Sequence, residues 1–240
     1  DQGRHVFALV PDKNVFMAES GAYPHIPYES FLGIVTDKLD PTIQVLSLRE
    51  HLSLDDYYRT DPHWDQKKLS SVSDILLQAL KTPSAQDDTR YTVHTSPNYL
   101  GTYAGQAALP VDPDELVWLT DETLNQAIVY DNFSKETSGI YQTDQLKAVD
   151  PYDIFLGGAK ALLTIKNAKQ TNGQQLVVFR DSYGSSMVPL LVASYSEVLV
   201  VDLRYVSMKT AATFVDISED ADVLFLYSTS VLNSPGAFMP

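Results

Sequence analysis

The chain has 240 residues, of which 44% are hydrophobic, and this is enough for one globular domain with a sizeable core. Its formal net charge of −14, from 17 basic and 31 acidic residues, argues against nucleic acid and anionic membrane surfaces as partners. Because the chain contains no cysteine, thiol catalysis, thiolate metal sites and disulfides are excluded.

The first third of the chain shows short apolar runs with the spacing of strands and helices. Runs at residues 6–10 and 15–18 flank residues 11–14, whose Pro, Asp and Asn favour a turn, and this predicts a β-hairpin. Apolar spacing predicts helices over 26–39 and 69–80, with a strand over 43–48 between them.

The second half of the chain changes from a polar stretch to a regular pattern. Residues 91–158 are rich in Tyr, Thr, Asp, Asn and Gly, and we interpret them as an irregular β-rich insertion or lid in a single domain over residues 1–240. Apolar runs at 162–165, 176–179, 198–201 and 223–226 follow, with helical segments between the later ones. This alternation predicts an α/β fold with a parallel sheet covered on both faces. Residues 83–88 are predicted to form a polar loop.

Two short motifs contain the residue types of a nucleophilic site. Asp61 lies two positions before His63, on a loop before a predicted helix, and can hold one imidazole nitrogen while the other accepts a proton. Ser182 lies between a predicted strand and a predicted helix, at the sheet edge where open α/β folds bind ligands. Backbone N–H groups at such a turn suit an oxyanion.

Each of these residues also has a structural interpretation. Asp61 can cap a helix, His63 can pack in the core, and Ser182 can be a helix N-cap. Trp64 is typical of a core or lid aromatic. Arg204 follows the next strand, where it can bind a carboxylate or phosphate of a substrate, or pair with Asp202 or Asp181.

Tyrosines and potential metal ligands accompany the motifs. Four tyrosines are candidates for lining a sugar-binding cleft, although with 14 in the chain a structural role is the commoner one: Tyr57, Tyr58, Tyr183 and Tyr205. Four potential ligands lie close together in sequence: His51, Asp61, His63 and Asp65. Their spacing matches no standard ligand set, so we expect no metal or other cofactor.

Ordered motifs at residues 57–64, 152–158, 176–184 and 201–205, with the opening 9–14, resemble the DHHW family of bacterial surface proteins. That family is similar to the SGNH-hydrolase-like proteins that O-acetylate exported polysaccharides such as alginate. The resemblance implies a three-layer α/β/α, flavodoxin-like fold, with Ser182 as nucleophile, His63 as base and Asp61 as its orienter. It also implies an extracytoplasmic location, with a leader or anchor outside this chain, and a membrane-bound acyltransferase as partner.

Five further residues are candidates for substrate binding or for the oxyanion: Gly158, Tyr183, Arg204, Tyr205 and Trp64. Three positions depart from the expected motifs, with Pro62 in place of histidine, Arg180 in place of glycine and Ala159 in place of asparagine. An alanine side chain cannot donate a hydrogen bond to an oxyanion.

The leading hypothesis is therefore a serine-dependent O-acyl esterase or O-acetyltransferase acting on cell-envelope carbohydrate through an acyl-serine intermediate. The alternative is a non-catalytic carbohydrate-binding or scaffold protein of the envelope, favoured by Ala159 and by the many tyrosines. A flavodoxin-like or receiver-like module ranks last, because no Gly-rich phosphate loop is present.

Overall fold

A large mixed sheet forms the centre of the protein, as seen in a computed structural model that describes residues 3–18, 24–82 and 91–240. The strands are β1 (His5–Val10), β2 (Gln44–Ser47), β3 (Thr92–Tyr99), β4 (Asp114–Thr120), β5 (Ile128–Asp131), β6 (Thr137–Ser138), β7 (Leu162–Lys166), β8 (Gln175–Arg180), β9 (Glu197–Val201) and β10 (Asp222–Ser228). The α-helices are α1 (Lys13–Ala18), α2 (Tyr28–Thr36), α3 (Ser70–Ala79), α4 (Thr102–Ala107), α5 (Glu122–Gln126), α6 (Tyr183–Leu191), α7 (Met208–Ala211) and α8 (Thr229–Leu232). Short 3₁₀ helices span Arg49–His51, Leu54–Asp56, Gln66–Lys68, Thr143–Lys147, Pro151–Ile154 and Val192–Ser194.

The strand order in the main sheet is β2-β1-β10-β8-β9-β7-β5-β6. From β2 to β9 all neighbours are parallel, as predicted, whereas β7, β5 and β6 pair in antiparallel fashion. The prediction of a parallel strand at 162–165 is therefore wrong in direction. The connection at residues 167–174 is too short for the helical crossover that a parallel return requires, so the chain reverses there.

Apolar residues of both faces of the sheet are buried. One face packs against α3 and α6 through residues such as Val178 and Leu224, and the other packs against α2 and α7 through residues such as Val177. Because successive side chains of a strand point to opposite faces, continuous apolar runs are typical of strands covered on both sides. The predicted three-layer α/β fold class is confirmed.

The N-terminal segment differs from its prediction. Residues 13–18 form α1 rather than the second strand of a hairpin, and β1 lies inside the sheet between β2 and β10. The apolar spacing fits a helix, since Val15 and Ala18 are buried three positions apart, and the Val15 N–H bonds to the Asp12 carbonyl at 2.9 Å. The helices predicted over 26–39 and 69–80, and the strand between them, are present as α2, α3 and β2.

The stretch at 91–158 contains two kinds of β-structure. β3 and β4 form a separate antiparallel pair, whereas β5 and β6 extend the main sheet. Tyr99 of β3 and Trp118 of β4 belong to a small buried cluster that also includes Tyr58 and Tyr152. The interpretation of the whole stretch as an insertion or lid in a single domain stays a prediction, and the predicted loop at 83–88 lies outside the described residues.

Candidate active site

Ser182, His63 and Asp61 form one hydrogen-bonded chain at the carboxyl edge of the sheet. Nε2 of His63 lies 2.8 Å from Oγ of Ser182, although the two residues are 119 positions apart in sequence. Nδ1 of His63 lies 2.5 Å from Oδ1 of Asp61. The structure therefore brings together the three residues predicted to act as nucleophile, base and orienter.

Ser182 occupies the turn between β8 and α6. Its side chain makes no capping bond, so the N-cap interpretation of this serine is wrong for the side chain. The Asp181 carboxylate fixes the turn instead, because it accepts from the Tyr183 N–H at 3.0 Å and from the Ser228 N–H at 2.7 Å. This bond to Ser228 ties the nucleophile's turn to the end of β10.

Backbone donors at this turn are limited. The N–H groups of Tyr183, Gly184 and Ser185 bond to the Asp181 carboxylate, the Asp181 carbonyl and the Ser182 carbonyl, respectively. For the Ser182 N–H, no acceptor is found within residues 3–18, 24–82 and 91–240. Of these four amides, the one at Ser182 is therefore the one available to an oxyanion.

Asp61 is buried and its carboxylate is fully engaged. Oδ1 accepts from Nδ1 and from the backbone N–H of His63, and Oδ2 accepts from the Thr102 N–H at 2.9 Å. Burial alone would raise the pKa of Asp61, but the bonds from His63 and Thr102 outweigh it and lower the pKa to about 2. The orienting and capping interpretations both apply, since Thr102 begins α4.

The imidazole of His63 is held by its face as well as by its edges. Its ring stacks on Tyr152, with the ring centroids 4.0 Å apart and the planes at 9°. The Tyr152 hydroxyl donates to Oγ of Ser186 at 2.8 Å, and burial keeps the pKa of Tyr152 well above its ordinary value. The base is thus confined to one orientation.

Trp64 supports the site from the core. It is fully buried, and Nε1 donates to the Tyr183 carbonyl at 3.1 Å and to Oγ of Ser186 at 2.9 Å. Its ring meets the edge of the Tyr183 ring, with 5.4 Å between centroids. Of the two interpretations of Trp64, the core aromatic is confirmed.

A cleft of about 590 Å³ opens above Ser182 and His63. Its lining also contains polar side chains, among them Asp12, Asn14, Ser230 and Asn233. Burial raises the pKa of Asp12, which accepts a hydrogen bond from the Thr229 hydroxyl. Hydroxyl, amide and carboxyl groups in this number suit a hydroxylated ligand.

Tyr183 and Arg204 both line this cleft, but the Tyr183 hydroxyl and two of the Arg204 guanidinium nitrogens are engaged by the protein. The Tyr183 hydroxyl donates to the Pro62 carbonyl at 3.0 Å. Nε and Nη2 of Arg204 donate to the Asp202 carboxylate at 2.9 and 2.6 Å, which confirms the ion-pair interpretation.

Gly158 and Tyr205 do not line the cleft. Arg180, where glycine was expected, is fully buried, and its Nη2 donates to the Gly158 carbonyl at 3.3 Å. Tyr205 is about half exposed and its ring lies against the guanidinium of Arg204. The structure therefore brings Tyr183 and Arg204, but not Gly158, Tyr205 or Trp64, to the predicted nucleophile's cleft.

The sequence matches the family description "DHHW protein" over residues 42–201, which is more than half of the chain. The chain belongs to the DHHW family. A DHHW family protein from Eubacterium siraeum DSM 15702 shares the fold with a TM-score of 0.72 at 23% identity, covering 99% of this chain and 82% of that one. Bacillus cereus PatB1 is similar with a TM-score of 0.77 at 19% identity, covering 99% of this chain and 86% of that one.

PatB1 with a sulfonyl adduct gives a TM-score of 0.74 at 18% identity, covering 98% of this DHHW chain and 84% of that one. At these identities the likeness concerns the fold. No curated protein matches this chain by sequence. The family match confirms the predicted family, and the likeness to the solved structures confirms the predicted α/β fold.

Over residues 3–18, 24–82 and 91–240, no group of three or more His, Cys, Asp or Glu side chains is placed to hold a metal ion. Over the same ranges, no helix has both the length and the apolar character needed to cross a membrane.

Several residues of the DHHW site were missed by the sequence analysis. The fold brings four of them to the chain of Asp61, His63 and Ser182. Lys13 donates to the Asp61 carbonyl, and Tyr152 stacks on His63. Asp12 lines the cleft, and Gly101 lies against Asp61. No local pattern marks these contacts, and residues 11–14, which include Asp12 and Lys13, were interpreted as a turn.

Proposed function

We propose that this DHHW protein is a serine-dependent O-acyl esterase or O-acetyltransferase that acts on cell-envelope carbohydrate through an acyl-Ser182 intermediate. The observation that carries the proposal is the continuous hydrogen-bonded chain from Oγ of Ser182 through His63 to the buried Asp61 carboxylate. A serine hydroxyl becomes an effective nucleophile when such a base accepts its proton.

In the first half-reaction, Oγ of Ser182 attacks the carbonyl carbon of an acyl donor while Nε2 of His63 takes its proton. The tetrahedral intermediate develops a negative oxygen, and the Ser182 N–H is the backbone donor available to it. Collapse of the intermediate breaks the ester bond, and the His63 imidazolium protonates the departing alcohol. The acyl group remains on Ser182.

In the second half-reaction, Nε2 of His63 takes the proton of an acceptor hydroxyl, whose oxygen attacks the acyl-Ser182 ester. The bond between the acyl carbon and Oγ then breaks, and the imidazolium returns the proton to Oγ of Ser182. Asp61 stays ionised throughout, because its pKa is about 2, and it stabilises the imidazolium in both half-reactions. Water as acceptor completes an esterase cycle, whereas a sugar hydroxyl completes an acetyltransferase cycle.

The cleft supports a hydroxylated acceptor, because its lining combines hydroxyl, amide and carboxyl side chains. The proposed setting is extracytoplasmic, with a membrane-bound acyltransferase as the source of acyl groups; family membership and the resemblance to polysaccharide O-acetylation proteins support this part.

Intact-mass spectrometry after incubation with p-nitrophenyl acetate, with phenolate release followed in parallel, tests the proposal. We expect an acetyl adduct on the native protein that is absent from Ser182→Ala, and turnover lost in both Ser182→Ala and His63→Ala. Ser134→Ala, at an exposed serine outside the cleft, is the matched control and keeps native rates. Adding oligosaccharide acceptors then separates transfer from hydrolysis.

Absence of any Ser182-dependent adduct or phenolate release would refute the enzymatic proposal. The non-catalytic envelope carbohydrate-binding protein would then take its place. Retention of envelope glycans by native protein and by Ser182→Ala alike would support that alternative.

A further inference from the structure

We infer that Lys13 is a positioning residue that holds the loop at 58–63 so that His63 meets Ser182. The inference rests on the proposed function, because it assigns Lys13 to the same reaction. The inference depends on the position of the Lys13 ammonium group and on the segments of the chain that it contacts.

The Lys13 ammonium binds three backbone carbonyls of a single loop. Nζ donates to the carbonyl of Tyr58 at 2.5 Å, of Asp61 at 3.1 Å and of Arg59 at 3.2 Å. An ammonium group has three N–H donors, so all of them are used on this loop. Three carbonyl dipoles converging on one point repel each other unless a cation lies between them.

The environment of this ammonium group is otherwise poor in solvent. Lys13 is 8% exposed, and the Tyr103 ring lies 5.0 Å from Nζ. Burial lowers the pKa of Lys13, while the Asp114 and Asp61 carboxylates oppose that shift. Because burying an ammonium group is costly, its retention here indicates that the bonds to the loop offset the cost.

The loop has little regular structure of its own, and besides Lys13 it is held at Thr60, whose N–H donates to the Asp114 carboxylate and whose carbonyl accepts from the Tyr103 N–H. A single bridge joins Tyr57 to Trp64 at its base, and the Tyr58 N–H bonds to the His63 carbonyl at 3.0 Å. The backbone of Asp61 is thus fixed by Lys13 while its carboxylate is fixed by His63 and Thr102.

Lys13 also connects the loop to the strand that carries the nucleophile. It begins α1, shortly after β1, and β1 pairs with β10, which in turn pairs with β8, the strand before Ser182. Lys13 therefore links the loop of the base to the sheet that carries the nucleophile, in addition to the bonds that join the loop directly to Tyr183. A displacement of about 1 Å between reacting groups can cost on the order of 10²-fold in rate.

The first test compares Lys13→Met, which keeps most of the side-chain length but removes the N–H donors, with Lys209→Met at an exposed site. We expect the rate of Ser182 acetylation by p-nitrophenyl acetate to fall about 10²-fold in Lys13→Met, with kcat affected more than KM. Lys209→Met keeps the native rate. Circular dichroism confirms that each variant is folded.

Chemical rescue separates the charge from the bulk of the side chain. Since the chain has no cysteine, Lys13→Cys introduces a unique thiol. Alkylation in denaturant with 2-bromoethylamine attaches an ammonium group and with 1-bromopropane an apolar group of the same size, and both products are then refolded. We expect the aminoethyl form to recover acylation and the propyl form to remain slow.

A proton NMR measurement gives a readout that does not require turnover. The short bond between Nδ1 of His63 and Asp61 should give a far-downfield Nδ1–H resonance in the native protein, lost or shifted in Lys13→Met. If the native protein shows no Ser182 acylation, the proposed function fails while this resonance still decides the role of Lys13. Folded Lys13→Met or propyl protein with native acylation or a native resonance would overturn the inference.

Discussion

The replacement Asp61→Asn tests the most constrained group in the site. Both carboxylate oxygens accept hydrogen bonds, Oδ1 from His63 and Oδ2 from the Thr102 N–H. An asparagine must present its NH₂ group to one of these two positions. If the NH₂ group faces Thr102, two donors oppose each other. If it faces Nδ1 of His63, Nδ1 must accept a hydrogen bond, so Nε2 carries the proton and has no lone pair to take the Ser182 proton.

The size of the effect follows from the same contacts. The pKa of Asp61 is lowered from 3.8 to about 2, which corresponds to about 2 kcal/mol in favour of the ionised form in the folded protein. A buried donor left without an acceptor adds about 1–3 kcal/mol. We therefore expect Asp61→Asn to lower the rate of Ser182 acylation between about 10²-fold and 10⁴-fold.

The assay is phenolate release from p-nitrophenyl acetate, with urea unfolding at several pH values alongside it. Because the folded pKa of Asp61 lies below its ordinary value, its contribution to stability is present above about pH 4 and is lost as the pH falls through about 2. The unfolding free energy of Asp61→Asn should lack that part of the acid dependence. Asp144→Asn, at an exposed carboxylate, is the control. A folded Asp61→Asn protein that acylates Ser182 within about tenfold of the native rate would refute the reasoning.

Two further predictions concern residues that support the site. A Cβ at Gly101 would collide with the carboxyl group of Asp61, so Gly101→Ala should slow phenolate release at least about tenfold, whereas Gly33→Ala, where a Cβ meets open space, should leave the rate native. Native release by Gly101→Ala would contradict this. Trp64→Phe removes the Nε1 N–H that the Tyr183 carbonyl and Oγ of Ser186 share, and it leaves a smaller ring in the core, so it should lower the unfolding free energy in urea by about 2 kcal/mol. An unchanged urea midpoint would show that those bonds carry no net stability.

The sequence predicted the chemistry of the site better than its surroundings. Ser182, His63 and Asp61 lie in short motifs whose residue types and flanking apolar runs indicate their environment. Lys13 and Tyr152 could not be assigned in the same way, because their partners lie tens of positions away and no local pattern marks such contacts.

The fold was predictable where periodicity decides it. The buried strands of the parallel half were clear from their apolar runs, but the direction of β7 depends on the connection at 167–174 and on its neighbour β9. The strand prediction for residues 15–18 was wrong because a Pro-Asp-Lys-Asn sequence is typical of a turn. The helix that forms over 13–18 is stabilised by burial of Val15 and Ala18 against the rest of the protein.

The position of β10 in the sheet has a consequence for how the protein folds. β10 lies between β1 and β8, and its register with β1 joins residues 5–10 to residues 223–228. Until β10 has joined the sheet, β1 has no partner on that side. Such non-local pairing is typical of slow folding, with an apolar strand edge exposed in the meantime. The sheet edge that carries the candidate active site is therefore complete only once residues 222–228 have joined the sheet.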